Sequence, residues 1–187
     1  MRIVMMATGD IAIPSFQALA DTGNVVALIT QPDRPVGRHM ELTPPRVKVL
    51  ANELGIPVFQ PEKMRDAAAV EQLRAYEPDI VVVMAYGQIL SQEVIDVPRI
   101  ACINAHASLL PRHRGAACIQ AAIEAGDDET GITITEHNRR TQEIPPKYHP
   151  VWFALEDADR QTLYDRIDKR VDVMLADGLI DEIKALL

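Results

Sequence analysis

The chain has 187 residues, 48% hydrophobic and 25% charged, with a formal net charge of −8. That length allows one domain with a real core, or a domain plus a small appendage, but not two full enzyme domains, and the balance is that of a globular protein rather than a disordered or fibrous one. Residues 1–133 hold 11 basic and 16 acidic side chains and residues 134–187 hold 8 and 11, so neither part has the basic excess of a nucleic-acid binder and any RNA contact must be local.

The opening MRIVMMATGD has one basic residue before a short apolar run, which reads as a buried strand rather than a signal peptide and predicts a cytoplasmic location. Apolar runs such as Ile80 to Ala85 fall well short of the roughly 20 residues that cross a bilayer, so no membrane partner is expected. Cys102 and Cys118, the two cysteines, lack any CxxC spacing. They are expected to be buried small hydrophobes, with neither a disulfide nor a metal.

Short β-branched runs follow one another through the first 105 residues: RIVMMA, VVALIT (Val25 to Thr30), PVFQ (Pro57 to Gln60), DIVVVMA (Asp79 to Ala85) and IACINA (Ile100 to Ala105). Amphipathic stretches at Ser15 to Thr22, Pro45 to Leu54 and Ala67 to Tyr76 lie between them. Strands this apolar on both faces belong in a parallel sheet covered by helices on each side, so the predicted class is α/β, doubly wound and mostly parallel. Ligands of such sheets bind beyond the carboxyl ends of the strands where the topology reverses, which singles out the loops after Ala85 and after Asn104.

After a further strand at Gly131 to Thr135, NRRTQEIPPKYH lacks periodicity and reads as a linker or loop, and HPVWFAL as a strand. From Asp159 the pattern is helical, with Leu163, Ile167, Val171 and Met174 on one stripe, Asp157 or Asp159 as cap and Gly178 as terminator. Leu179 to Leu187 adds a last helical turn or two.

The segment richest in chemistry is NAHASLLPRHRGAACIQAAIEAGDDETGIT, Asn104 to Thr133. Asn104 and His106 alternate on extended chain, so both side chains point to one side at the end of a strand. An amide donor beside an imidazole can steady an oxyanion and shuttle protons. A histidine satisfied inside a turn, beside an asparagine that caps the strand, is the alternative that spacing leaves open.

This string resembles the formyltransferase signature, with Ser108, Leu109, Leu110, Pro111, Arg114 and Gly115 matching it after Asn104 and His106. The continuation RGAACIQAAIEAGDDETGIT is similar to the methionyl-tRNA formyltransferase branch, with Cys118 where proline is usual. The loop TQPDRPVGR, Thr30 to Arg38, resembles the one with which that branch enters the tRNA acceptor end, and QPEKMRD, Gln60 to Asp66, also matches. The resemblance makes Arg34 and Arg38 contacts to initiator methionyl-tRNA. These contacts are weakened, since His39, Met40 and Glu41 replace the usual glycine and lysines and each lost phosphate contact removes counterion release. A solvated, flexible loop is the alternative. AYGQIL, Ala85 to Leu90, resembles the loop lining the folate pocket, which implies Tyr86, Gly87 and Gln88 as folate contacts together with Ser108, Leu109, Leu110 and Pro111. An ordinary strand-to-helix turn is the other reading of AYGQIL.

The resemblance implies a Rossmann-like catalytic domain that moves a formyl group from 10-formyltetrahydrofolate to the amino group of methionine on initiator tRNA. Asn104 would hold the oxyanion and His106 would act on the protons, without a metal. A carboxylate of the family should fall near position 142, where this chain has Gln142, and Glu143 would face the other way on extended chain. Residues 1–133 are therefore expected to form an incomplete formyltransferase-like domain, without the family's C-terminal RNA-binding barrel and with impaired turnover. Residues 134–187 resemble an internal piece of a tRNA dimethylallyltransferase, carried by DRQTLYDRIDKRVDVML. No GxxxxGK[ST] loop accompanies it to hold a diphosphate donor, so its charges, such as Asp165 with Lys169, read as a solvated face. The two resemblances meet at TGITI, as a splice would leave them. The alternatives are a folate-binding remnant or fusion without turnover and another folate-dependent formyltransferase, the latter disfavoured by TQPDRPVGR.

Overall fold

The computed structural model describes residues 1–37, 40–136 and 153–154, which lie in one compact unit, Met1–Ala154. In chain order the elements are β1 (Ile3–Ala7), α1 (Ile13–Ala20), β2 (Val25–Ile29), β3 (Arg34–Val36), β4 (Glu41–Thr43), α2 (Arg46–Glu53), β5 (Val58–Phe59) and α3 (Ala67–Ala75). They continue with β6 (Ile80–Met84), α4 (Gln92–Ile95), β7 (Ala101–His106), α5 (Cys118–Glu124), β8 (Gly131–Glu136) and β9 (Phe153–Ala154). The main sheet runs β5-β2-β1-β6-β7-β8-β9. Its first five strands are parallel, and β8 and β9 each join antiparallel to the preceding strand.

The period-2 alternation of the strands sorts their side chains onto two faces. On one, Met5, Ala7, Leu28 and Met84 pack with Phe16 of α1 and with Val47 and Ala51 of α2. On the other, Val4, Met6, Ile29, Val81, Val83 and Cys102 pack with Val70 and Leu73 of α3 and Val94 of α4. Every residue of β1 is buried, as a central parallel strand covered on both sides requires. Both cysteines are free and buried, and burial pushes the Cys102 thiol up to about 12. Among the described residues no helix is long and apolar enough to cross a membrane.

From β1 the chain moves to β2 and β5 on one side, then crosses to β6 and β7 on the other. The reversal places the loops after β1 and β6 next to each other. The Ala85 carbonyl accepts from the Thr8 and Gly9 amides at 3.2 and 3.1 Å, and Thr8 Oγ1 donates to the Tyr86 carbonyl at 2.8 Å. Gly9 is needed for this approach, because a Cβ there would sit 3.1 Å from that of Ala85.

The α/β class and the five parallel strands agree with the sequence reading, each to within a residue or two at its ends. PDRPVGR, read there as loop, instead contains one arm of the β3–β4 hairpin, in which Arg34 pairs with Thr43. The short α4, capped by Ser91, had no sequence counterpart. HPVWFAL supplies β9, paired with Gly131 and Ile132. The tail helix, from its Asp157 or Asp159 cap to Gly178, lies outside the described residues.

Phe16 is fully buried between α2 and the sheet. Phe16→Ala is expected to lower unfolding free energy by roughly 3–5 kcal/mol in denaturant titration, whereas Ile89→Ala, at a position 95% exposed, should change it by less than about 0.5 kcal/mol.

Candidate active site

The carboxyl end of β7 carries Asn104 and His106 on one face of the sheet. Asn104 pairs in register with Val83 of β6 and Thr135 of β8, and His106 with Thr133. Val83 and Cys102 belong to the α3/α4 core, which fixes the face that the two polar residues share. Both are half-buried, and among the described residues no group hydrogen-bonds the Asn104 carboxamide. Glu136 pairs with Ile103 and so projects to the opposite face.

His106 Nδ1 lies 2.9 Å from Ser108 Oγ, and that hydroxyl is also placed to donate to the Arg112 carbonyl at 2.9 Å. Ser108 is fully buried. Its carbonyl accepts from Thr133 Oγ1 at 2.6 Å, and the same Oγ1 accepts from the Leu110 amide at 3.0 Å. One buried threonine of β8 thus holds the Ser108 to Pro111 turn against β7. Burial holds the His106 imidazole below the usual histidine value, partly opposed by a hydrogen bond with the Gly115 backbone. The neutral ring is therefore the resident form at pH 7.

The loop beyond this turn is tied down at its far side. His113 Nε2 lies 2.6 Å from Asp127 Oδ2, and the Arg112 guanidinium donates to the other oxygen of the same carboxylate. The Asp127 side chain is only 7% exposed. The hydrogen bond with His113, aided by the charge of Arg112, holds it below the usual carboxylate value against the opposing effect of burial.

At the end of β6, Gly87 has φ +85°, and a Cβ on it would meet Gln31 Nε2 at 3.2 Å, so only glycine suits both the backbone and the close neighbour. The Gln88 side chain turns away to clamp the 61–64 segment, accepting from the Met64 amide at 2.7 Å and donating to the Pro61 and Glu62 carbonyls. Among the described residues the amides of Gly87, Gln88 and Ile89 make no hydrogen bond, leaving backbone donors open at this strand end. The Tyr86 phenol is buried within the α3/α4 core with no hydrogen-bond partner among the described residues. Burial raises its pKa well beyond the usual phenol value, so Tyr86 can contribute to this loop through its backbone rather than its hydroxyl.

Arg34 donates to Gln31 Oε1 at 3.2 Å, and Gln31 Nε2 in turn donates to the Tyr86 carbonyl at 3.3 Å. The base of the hairpin is held by Asp33, which accepts from Gln60 and from Lys48 at 2.7 Å. The Gln60 hydrogen bond, followed by that of Lys48, pulls the Asp33 carboxyl down. Val36, Met40 and Leu42 on the hairpin are all exposed. Arg38, His39, Gln142 and Glu143 lie outside the described residues.

Sequence reasoning missed Thr133, Asp127, Asp33 and Lys48 as supporting groups, since each acts on a partner at least 14 residues away that only the fold brings near. Among the described residues no three His, Cys, Asp or Glu side chains gather as a metal site would need. A cleft of about 420 Å³ lies at the opposite, amino ends of the strands, lined by Arg2, Arg74, Glu77 and Arg99 among others. Arg74 and Arg99 are already paired with Glu71, Glu93 and Asp79.

Residues 1–176 match the formyl transferase family. A methionyl-tRNA formyltransferase of Akkermansia muciniphila is 65% identical over 177 residues, covering 94% of this chain and 56% of the relative. One of Magnetococcus marinus is 58% identical over 134 residues, 71% of this chain and 43% of the relative. The chain spans about half the length of the curated relatives it matches. In fold it is similar to the crystal structure of a phosphoribosylglycinamide formyltransferase from Streptococcus pneumoniae, with a TM-score of 0.64 at 22% identity over 99% of this chain and 98% of the other.

The loop anchor has a definite pH signature. The folded Asp127 value lies below the ordinary 3.8, so the unfolded chain binds that proton more readily. The stabilisation is complete above the ordinary carboxylate range and is lost as pH falls through the folded value. Asp127→Asn should therefore lower the Tm at pH 6, and the gap from wild type should narrow as the pH falls below the ordinary carboxylate range, read by thermal unfolding across that range.

Proposed function

The chain belongs to the formyl transferase family, and from that premise we propose that its site performs methionyl-tRNA formyl transfer with 10-formyltetrahydrofolate as donor. The observation that carries this reading is the pairing of Asn104 and His106 on one face at the end of β7, with the Asn104 carboxamide free of partners among the described residues. When bound, the donor supplies a formyl carbon that the amino group of methionine attacks. The Asn104 N–H would donate to the formyl oxygen as negative charge grows there, and the neutral His106 would take the proton that the amine must lose and return it to N10 of the folate as the formyl C–N10 bond breaks. The donor would lie against the backbone of Tyr86, Gly87 and Gln88 and against the Ser108, Leu109, Leu110 and Pro111 turn. Arg34 and Arg38 would meet the acceptor end of initiator methionyl-tRNA in the cytoplasm.

Turnover is proposed to be slow, on the strength of Gln142 standing where the resemblance calls for a carboxylate. A neutral amide cannot favour the charged imidazole as a carboxylate does. In a formylation assay the rate should lie on the order of 10² to 10⁴ below that of the Akkermansia muciniphila relative, the usual worth of general acid–base help. His106→Asn and Asn104→Ala should each lower what remains. Titration with a tetrahydrofolate analogue should show saturable binding. Binding without any measurable transfer would favour a folate-binding remnant, and a folded protein that binds no analogue at millimolar concentration would sink both readings.

For residues 134–187 we infer an origin in a tRNA dimethylallyltransferase, with the formyltransferase-like part ending near Thr133, although the formyl transferase family match itself runs on to residue 176. DRQTLYDRIDKRVDVML supports it, as does TGITI, a string compatible with both families. The segment lacks a phosphate-binding loop, so incubation of the chain with tRNA and dimethylallyl diphosphate is expected to yield no prenylated tRNA; transfer of label would refute that.

A further inference from the structure

We propose that Ser108 is a positioning residue for His106: its hydroxyl receives a hydrogen bond from Nδ1 while donating its own to the Arg112 carbonyl, so that loop backbone supports the charged imidazole. The assignment rests on the formyl-transfer reading for its catalytic consequence, though not for its geometry.

Ser108 Oγ has one proton and two neighbours, Nδ1 and the Arg112 carbonyl, each at 2.9 Å. A carbonyl oxygen only accepts. When the ring is neutral, the single hydroxyl proton goes either to Nδ1 or to the carbonyl. When the ring is charged, Nδ1 always brings a proton, and the hydroxyl is then free to serve Arg112. Every group in the row is satisfied in that state, whereas the neutral ring satisfies it only as the Nδ1–H tautomer and can otherwise place its proton on Nε2; the Gly115 backbone adds a further hydrogen bond that favours the charged form. Alanine at 108 would leave Nδ1–H facing an apolar methyl group in a buried spot, the costly case for a charged donor.

The surroundings leave this work to the hydroxyl. Across the sheet, Thr133 and Thr135 share the His106 face while Glu136 projects to the other. From the loop, Arg112 and His113 are turned onto Asp127, and Arg114 is exposed. Among the described residues no carboxylate is paired with the ring. Ser108 itself cannot drift, because Thr133 Oγ1 fixes its carbonyl at 2.6 Å.

The test is an NMR titration of ¹⁵N-histidine in the full chain, with the His106 signal assigned by its loss in His106→Asn. In Ser108→Ala the His106 midpoint should fall by about one pH unit, a tenfold loss of proton affinity of the size expected for a hydrogen bond to a charged group. Thr133→Val loosens the same turn but keeps the hydroxyl, and should move the midpoint by much less. An unchanged or raised midpoint in Ser108→Ala overturns the proposal, as does an equal fall in Thr133→Val, which would mark the effect as loop packing. Should Ser108→Ala fail to fold, the wild-type spectrum still decides. Slow exchange protection of the Nδ1 proton at acid pH supports the assignment, and an Nδ1 proton in free exchange with water overturns it. None of these readouts needs turnover, so failure of the formyl-transfer assay and failure of this proposal are told apart.

Discussion

The buried hydroxyl of Thr133 ties the last strand pair to the loop that holds the chemistry. It donates to the buried Ser108 carbonyl and accepts from the part-buried Leu110 amide, satisfying in one atom two backbone groups, the first of which would cost about 1–3 kcal/mol if left unpaired. The register that pairs Thr133 with His106 makes this possible: β8 must run antiparallel to β7 and in this alignment, since a slip of one residue would turn Thr133 to the opposite face. The position of Ser108 against the imidazole, and the course of the chain to Arg112, follow from it.

A second set of hydrogen bonds does for the β1/β6 side what Thr133 does for β7/β8. Thr8 Oγ1 donates to the Tyr86 carbonyl and accepts from the Gln31 amide at 3.2 Å, joining the ends of three parallel strands. Gln31 then passes the connection to Arg34. The hairpin that carries Arg34 is thereby rooted in the same loop whose open amides face the proposed donor site. An exposed hairpin of six strand residues could not hold such a position by its own pairing, and the Asp33, Lys48 and Gln60 cluster at its base supplies the remaining restraint.

The parts of this architecture that were legible in the sequence are those governed by local periodicity. Ile3 to Ala7, Ile80 to Met84 and Ala101 to His106 announce themselves as apolar runs, and the alternation of Asn104 and His106 implies a shared face without knowledge of any neighbour. The hairpin at Arg34 to Thr43 was hidden because Pro35 and Gly37 read as loop punctuation and its apolar residues have no buried face to show a period. The supporting groups were hidden for another reason. Asp127 stands 14 residues from His113 and Thr133 stands 25 from Ser108, and no spacing rule predicts which distant polar residue a fold will bring to a given hydroxyl or imidazole. The buried phenol of Tyr86 shows the converse: a residue type suited to ligand contact that the sheet instead uses as core.

The supporting groups also bear on which half of the reaction this site can assist. Formyl transfer needs a base while the amine loses its proton and an acid while the folate nitrogen departs. A carboxylate beside the ring would serve both, since its full charge favours the imidazolium at a distance and in any orientation. Carbonyl dipoles and a hydroxyl act only through aligned hydrogen bonds, worth about 1.5–3 kcal/mol each when one partner is charged, and at His106 they are outweighed by burial, which leaves the ring neutral. A neutral imidazole is ready to accept a proton and poor at holding one. Under the proposed reading, the geometry at β7 thus suits attack better than departure.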